Sequence, residues 1–147
     1  MTSEPTQTVL IVETTAGDPP VEFLGDTADI VYFISMAHSE RYGMDHPMAK
    51  AAAILKRQLK VNLAPLMMFG DAQPDNAGEE EMLEKLWQEP GPLEESARKA
   101  AEAIAGTEKL LELTSAFPEL PDRLRELADI AAWAAEQGAK VRLTYVI

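Results

Sequence analysis

The chain has 147 residues, 46% hydrophobic and 26% charged, the balance of a globular domain rather than a disordered segment. It holds no cysteine, which excludes disulfides, thiolate metal sites and thiol nucleophiles together, and fits a cytoplasmic setting. A net charge of −12 argues against a nucleic-acid partner, because phosphate backbones are held by a clustered positive field.

Residues 1–7 place no basic stretch ahead of the first apolar run, so no secretory signal is expected. The longest apolar run, residues 30–37, falls far short of the roughly 20 residues that span a bilayer. The expectation is one soluble domain over residues 1–147, with no membrane partner.

Residues 8–14, TVLIVET, are rich in β-branched side chains and bounded by the turn formers Gly17, Pro19 and Pro20, which predicts a strand. Residues 21–24 predict a short second strand ending at Gly25. Residues 26–42 admit two readings. As a helix, Asp26 or Thr27 caps it, Asp29 lies in an acidic first turn, Arg41 lies in the last turn and Gly43 follows. As a strand, residues 30–36 would form the centre of an α/β fold, since periodicity alone does not separate a buried strand from a buried helix. Punctuation at both ends favours the helix. In either form the segment is apolar nearly all round and belongs at the centre of the fold.

The next helix is expected from a cap at Asp45, with Pro47 in its first turn, to about Asn62. Met48, Ala52, Leu55 and Leu59 form its apolar stripe, and Lys50, Lys56, Arg57 and Lys60 lie away from it. Pro65 interrupts, and Leu66, Met67, Met68 and Phe69 lead into a polar loop over residues 70–78. Glu79, Glu80 and Glu81 open a short helix with Leu83, Leu86 and Trp87 on one face, closed by Pro90, Gly91 and Pro92. Further helices are expected over residues 93–105, 107–116 and 121–137, the last stopped by Gly138. Residues 140–147 alternate as a terminal strand. The fold class that follows is α+β: a helix-dominated domain with a small sheet formed by its N- and C-terminal strands.

Chemistry is harder to place. The two histidines, His38 and His46, fall in AHSERYGMDHP with Glu40, Tyr42 and Asp45 close by. Imidazole and carboxylate together supply a general base or a divalent-metal site, so His38, His46 and Glu40 are candidate catalytic residues. Against this, His38 flanks the apolar arc beside Ile34, and His46 fits a structural place in a helix's first turn.

Two carboxylate pairs, Asp26 with Asp29 and Glu126 with Asp129, are spaced i,i+3 and so share helix faces. Together they form a candidate set for a divalent metal such as Mg²⁺. Residues 26–45, DTADIVYFISMAHSERYGMD, resemble the metal-binding helix of the all-α nucleotide pyrophosphohydrolases. That resemblance implies a metal-dependent hydrolase. The chain departs from the family in two ways: a strand stands where a helix of paired glutamates is needed, and Asp26 stands where glutamate is usual.

Met36, Met48, Met67 and Phe69 could together bound an apolar ligand pocket, methionine being adaptable, although helically spaced methionine also serves as ordinary core. On the last helix, Leu120, Leu124, Leu127, Ala131 and Ala134 make the core stripe, while Trp133 projects away with Ile130 on its flank. These two residues are candidates for a partner contact. Charge is uneven as well. Arg41, Lys50, Lys56, Arg57 and Lys60 crowd residues 31–70 against only Glu40 and Asp45, so any anion-attracting face belongs there.

No nucleophile elbow and no glycine-rich phosphate loop occur. The leading expectation is therefore a non-catalytic interaction or regulatory module with a protein partner. Homodimerisation is expected through a sheet edge or the Trp133 face. The alternatives are a small metal-dependent hydrolase and a small-ligand-binding protein.

Overall fold

The first and last strands pair with each other. Strand β1 (Val9–Thr14) and strand β3 (Val141–Val146) pair antiparallel, from Val9 opposite Val146 to Thr14 opposite Val141. The computed structural model describes residues 8–38 and 46–146, and the fold is a helix-dominated α+β arrangement. A third strand, β2 (Phe69–Asp71), lies parallel on the other side of β3, which places β3 at the centre in the order β1-β3-β2.

Paired residues share a sheet face, so Leu10, Val12, Phe69, Val141 and Leu143 point into the core together. Ile11, Glu13, Gly70, Arg142 and Thr144 occupy the opposite face. Along β1 the odd residues bond to β3, which turns the Leu10 N–H outward. It is not left bare: Thr27 Oγ1 accepts it at 2.9 Å, so the start of the following helix covers this part of the edge.

That helix, α1 (Ala28–His38), settles the ambiguity of residues 26–42. Asp26 Oδ1 accepts the Ala28 N–H at 2.8 Å, and the Thr27 carbonyl accepts from Ile30 and Val31, which starts helical rather than extended backbone. The α/β alternative with residues 30–36 as a strand is thereby overturned. Ile30, Val31, Phe33, Ile34 and Ala37 are all buried, and α1 touches β1 and three other helices, as its apolar circumference requires.

Helix α2 (Pro47–Ala53) is capped by His46, whose Nδ1 accepts the Met48 N–H at 3.1 Å. The expected cap, Asp45, lies outside the described residues. A π turn, Ile54–Gln58, continues α2, so the helix stops earlier than the apolar stripe suggests. Helix α3 (Ala64–Met67) leads into β2. Helix α4 (Ala77–Glu84) precedes α5 (Pro90–Gly106), α6 (Glu108–Leu113) and α7 (Leu120–Glu136). The Pro-Gly-Pro sequence at 90–92 opens α5 instead of closing α4, because proline's missing N–H costs nothing in a first helical turn.

The main helical interface joins α5 to α7. Leu93, Ala97, Ala100, Ala101 and Ile104 recur at helical spacing on α5, facing Leu120, Leu124, Leu127, Ala131 and Ala134 of α7, and all ten are fully buried. Alanines let the backbones approach closely, and each buried leucine or isoleucine contributes about 1.5–3 kcal/mol. Gly138 ends α7 with φ +66, the left-handed turn expected of it.

Two further expectations fail. Residues 21–24 join no strand: Leu24 is 85% exposed, and its N–H bonds to Glu126 of α7 rather than to a ladder. Gly70 and Asp71, expected at the start of a loop, form β2 together with Phe69. No helix among the described residues is long and apolar enough to cross a membrane.

Candidate binding cleft

The histidine site divides at the limit of the described residues. His38 closes α1, but its side chain and the whole of Glu40 lie outside them. His46 is a cap. Because its Nδ1 accepts from the backbone, the hydrogen of the neutral ring sits on Nε2, 2.8 Å from Tyr32 Oη, so the imidazole donates to the phenol. Tyr32 also stacks on Phe117, with ring centroids 5.3 Å apart. This arrangement ties α1 to the start of α2 and to the α6–α7 connection, a structural use of the ring.

The four carboxylates turn to different partners. Asp26 caps α1. Glu126 sits 3.0 Å from Arg123 Nε and accepts the Leu24 N–H at 3.3 Å, while Asp129 meets Arg98 at 3.3 Å. Arg123 is only 4% exposed, and its ion pair is poorly directed, leaving Nε and Nη1 without a well-aligned acceptor. Burial, with Asp26 and Glu119 close by, pushes the Asp29 carboxyl above its ordinary value, and Arg123 offsets only part of this. Burial works against the Arg98 charge, but its hydrogen bonds to Glu94 and Asp129 more than compensate and raise its pKa. Among the described residues no group of three or more histidine and carboxylate side chains is arranged to hold a metal ion.

Of the methionine set, Met48 is fully buried core and Met36 packs against that core. Met67 and Phe69 line separate depressions. Ile130 is 2% exposed, which makes it a core residue rather than a surface contact, and Trp133 is partly buried against the same core. The fold has taken up most of the aromatic face that the helix projection left open.

One concavity that combines apolar surface with carboxylates lies between β2 and α4. Phe69, Gly70 and Asp71 form one wall, Pro74 the end, and Glu79, Met82, Leu83 and Leu86 the other wall, around a volume of about 200 Å³. Local chemistry fixes this shape. Asp71 Oδ1 accepts the Gln73 N–H at 2.8 Å and turns the chain after β2. Asn76 then caps α4 through the Glu79 N–H at 2.9 Å, and Glu79 reaches back to the Asp75 N–H at 2.6 Å. These contacts hold two carboxylates, Asp71 and Glu79, at the cleft.

Helix α4 has no buried residue of its own. It is held from outside. Gly70 lets it approach the sheet, since a Cβ there would come within 3.1 Å of Leu86 Cδ1. Arg142 of β3 donates to the Leu83 carbonyl at 3.3 Å, pairs with Glu13 and lies 4.6 Å over the Trp87 ring. Beyond the helix, Gln88 exchanges two backbone hydrogen bonds with Val141. Met82 is left 65% exposed on the cleft wall.

Sequence reasoning found the Leu83–Leu86 face but missed Met82, Gly70, Asp71 and Pro74. The first had a signal, a methionine beside that face; the others sat in a segment read as loop. The chain matches no family model, and neither a curated protein nor a solved structure matches it.

Proposed function

We propose that the protein is a non-catalytic interaction module whose β2–α4 cleft receives one apolar side chain from a partner segment that carries basic residues beside it. The observation that carries this reading is an exposed Met82 over an apolar cleft whose only charged lining residues, among the described ones, are Asp71 and Glu79. A volume near 200 Å³ lies below the roughly 300–1,000 Å³ of small-molecule sites, and suits a single anchoring side chain. Methionine adapts its shape to such an anchor. Glu79 and Glu80 make the first turn of α4 acidic, and the net charge of −12 favours encounter with cationic segments.

The test is fluorescence anisotropy with a short labelled peptide holding a central leucine between lysines. Its controls replace the leucine by serine or the lysines by glutamates. Met82→Asp leaves the core untouched and should weaken binding by about 2 kcal/mol, roughly thirtyfold. Equal binding of the serine peptide, or unchanged affinity in Met82→Asp, would refute the reading.

A further inference from the structure

A second depression lies at the end of the π turn, lined by Lys56, Lys60, Val61, Asn62, Leu63, Ala64 and Met67, with a volume of about 450 Å³. We infer that it binds a phosphate group carried by a small organic molecule.

The charge segregation comes first. Residues 46–70 contain Lys50, Lys56, Arg57 and Lys60 and no acidic residue, in a chain whose net charge is −12. Among the described residues no carboxylate lines this depression. A local positive field of this kind on an acidic protein concentrates anions where bulk charge repels them.

The donors come second. Lysine is a point charge with three rotatable hydrogens, a common phosphate partner. Asn62 Oδ1 accepts the Ala64 N–H at 3.1 Å, which assigns the amide orientation and leaves the Nδ2 hydrogens as donors. Lys60 and Asn62 thus bring only hydrogen-bond donors to the anion, while Lys56 on the same rim donates to the Ala37 carbonyl at 3.5 Å. Val61, Leu63, Ala64 and Met67 supply the apolar wall for an organic body. The volume falls within the range of small-molecule sites.

The backbone comes third. Leu59 N–H bonds to the Ile54 carbonyl at 3.1 Å, five residues back, and Val61 N–H to the Leu55 carbonyl at 2.8 Å, six residues back. The closing bond spans one residue more than the usual glycine-ended helix stop. Lys60 takes the left-handed conformation at φ +58, among the described residues the only non-glycine to do so. Glycine would fill this position without strain. A lysine is held there instead, on the rim of the depression, and π turns of this kind recur at functional sites.

The experiment follows backbone amide shifts of the full chain by ¹H–¹⁵N NMR during titration with inorganic phosphate, phenyl phosphate or phenol, at constant ionic strength. Saturable shifts of the Lys60, Val61, Asn62 and Leu63 amides with phenyl phosphate, and none with phenol, are expected. Lys60→Ala should weaken that binding tenfold or more while leaving the rest of the spectrum in place. Lys60→Gly, which relieves the backbone, should weaken it as much and so separates binding from folding. Tighter binding of phenyl phosphate than of inorganic phosphate supports an organic ester on the apolar wall; equal binding of the two overturns the organic part of the assignment. Absence of saturation, or unchanged affinity in both Lys60 variants, overturns the site.

Discussion

Replacing Lys60 by glycine should make the protein more stable. An L-residue in the left-handed region costs roughly 1–2 kcal/mol, and Lys60 sits there at φ +58. Glycine removes that cost but loses about 0.5–1 kcal/mol through the greater freedom of its unfolded chain. The net gain is about 0.5–1 kcal/mol, which for a domain of this size raises Tm by about 1–4 °C. Lys60→Ala is the control. Alanine needs the same strained backbone, so its stability should stay within about 0.5 kcal/mol of the parent.

Urea unfolding of the three proteins decides the matter, with an unchanged m-value confirming that the unfolded state is comparable. If Lys60→Gly is no more stable than Lys60→Ala, the backbone is not the source of the cost and the reasoning fails. If it is more stable, the chain keeps a lysine at a place where stability alone favours glycine.

Other perturbations test the packing. A methyl group at Gly25 would overlap the Arg123 guanidinium, so Gly25→Ala should displace a buried cation from Glu126 and cost about 2–3 kcal/mol, read as a fall in the urea midpoint. Thr27→Val keeps the volume but removes the acceptor of the buried Leu10 N–H; a loss of about 1–3 kcal/mol is expected, with faster hydrogen exchange at Leu10, and Thr27→Ser should retain most of it. Asp29 has its folded pKa raised by burial and by Asp26 and Glu119, so its charge opposes folding at neutral pH, and that penalty disappears as the pH falls through the raised value to below the unfolded one. Asp29→Asn should therefore be the more stable protein at neutral pH, the difference closing in acid; a parent stabilised relative to the variant at neutral pH would contradict this sign. Gly70→Val should push Leu86 and α4 off the sheet, lower the urea midpoint by about 1–3 kcal/mol and abolish peptide binding at the cleft.

What could be read from residues alone follows the strength of local signals. β1, β3, α5 and α7 were legible because their apolar residues recur with the period of the element over many positions. The helix α1 was legible from its ends, not its middle, since the run from Ile30 to Ile34 suits strand and helix alike. β2 was not legible: it is three residues long, contains a glycine, and exists only because β3, more than seventy residues later, offers it a parallel edge. The cleft depends on that pairing and was lost with it. His46 was misplaced by one position because aspartate is the stronger capping residue by preference, whereas the observed cap uses an imidazole nitrogen.

The two proposed sites share a property that distinguishes them from the core. Among the apolar residues that join α5 to α7 the levels agree: periodic leucines, alanines at close contacts and glycine at the end of α7. At α4 a helix persists with no buried residue, tied down by Arg142, Gln88 and a glycine on the facing strand, and leaves a methionine in solvent. At the π turn a lysine occupies a backbone conformation suited to glycine. Places where local rules are broken while the surrounding fold remains consistent are where function is expected to reside, because stability alone would not retain them. The exposed Met82 and the strained Lys60 meet that criterion by different routes: one leaves apolar surface uncovered beside two carboxylates, the other spends backbone energy to hold a cation at a concave surface that no described carboxylate lines.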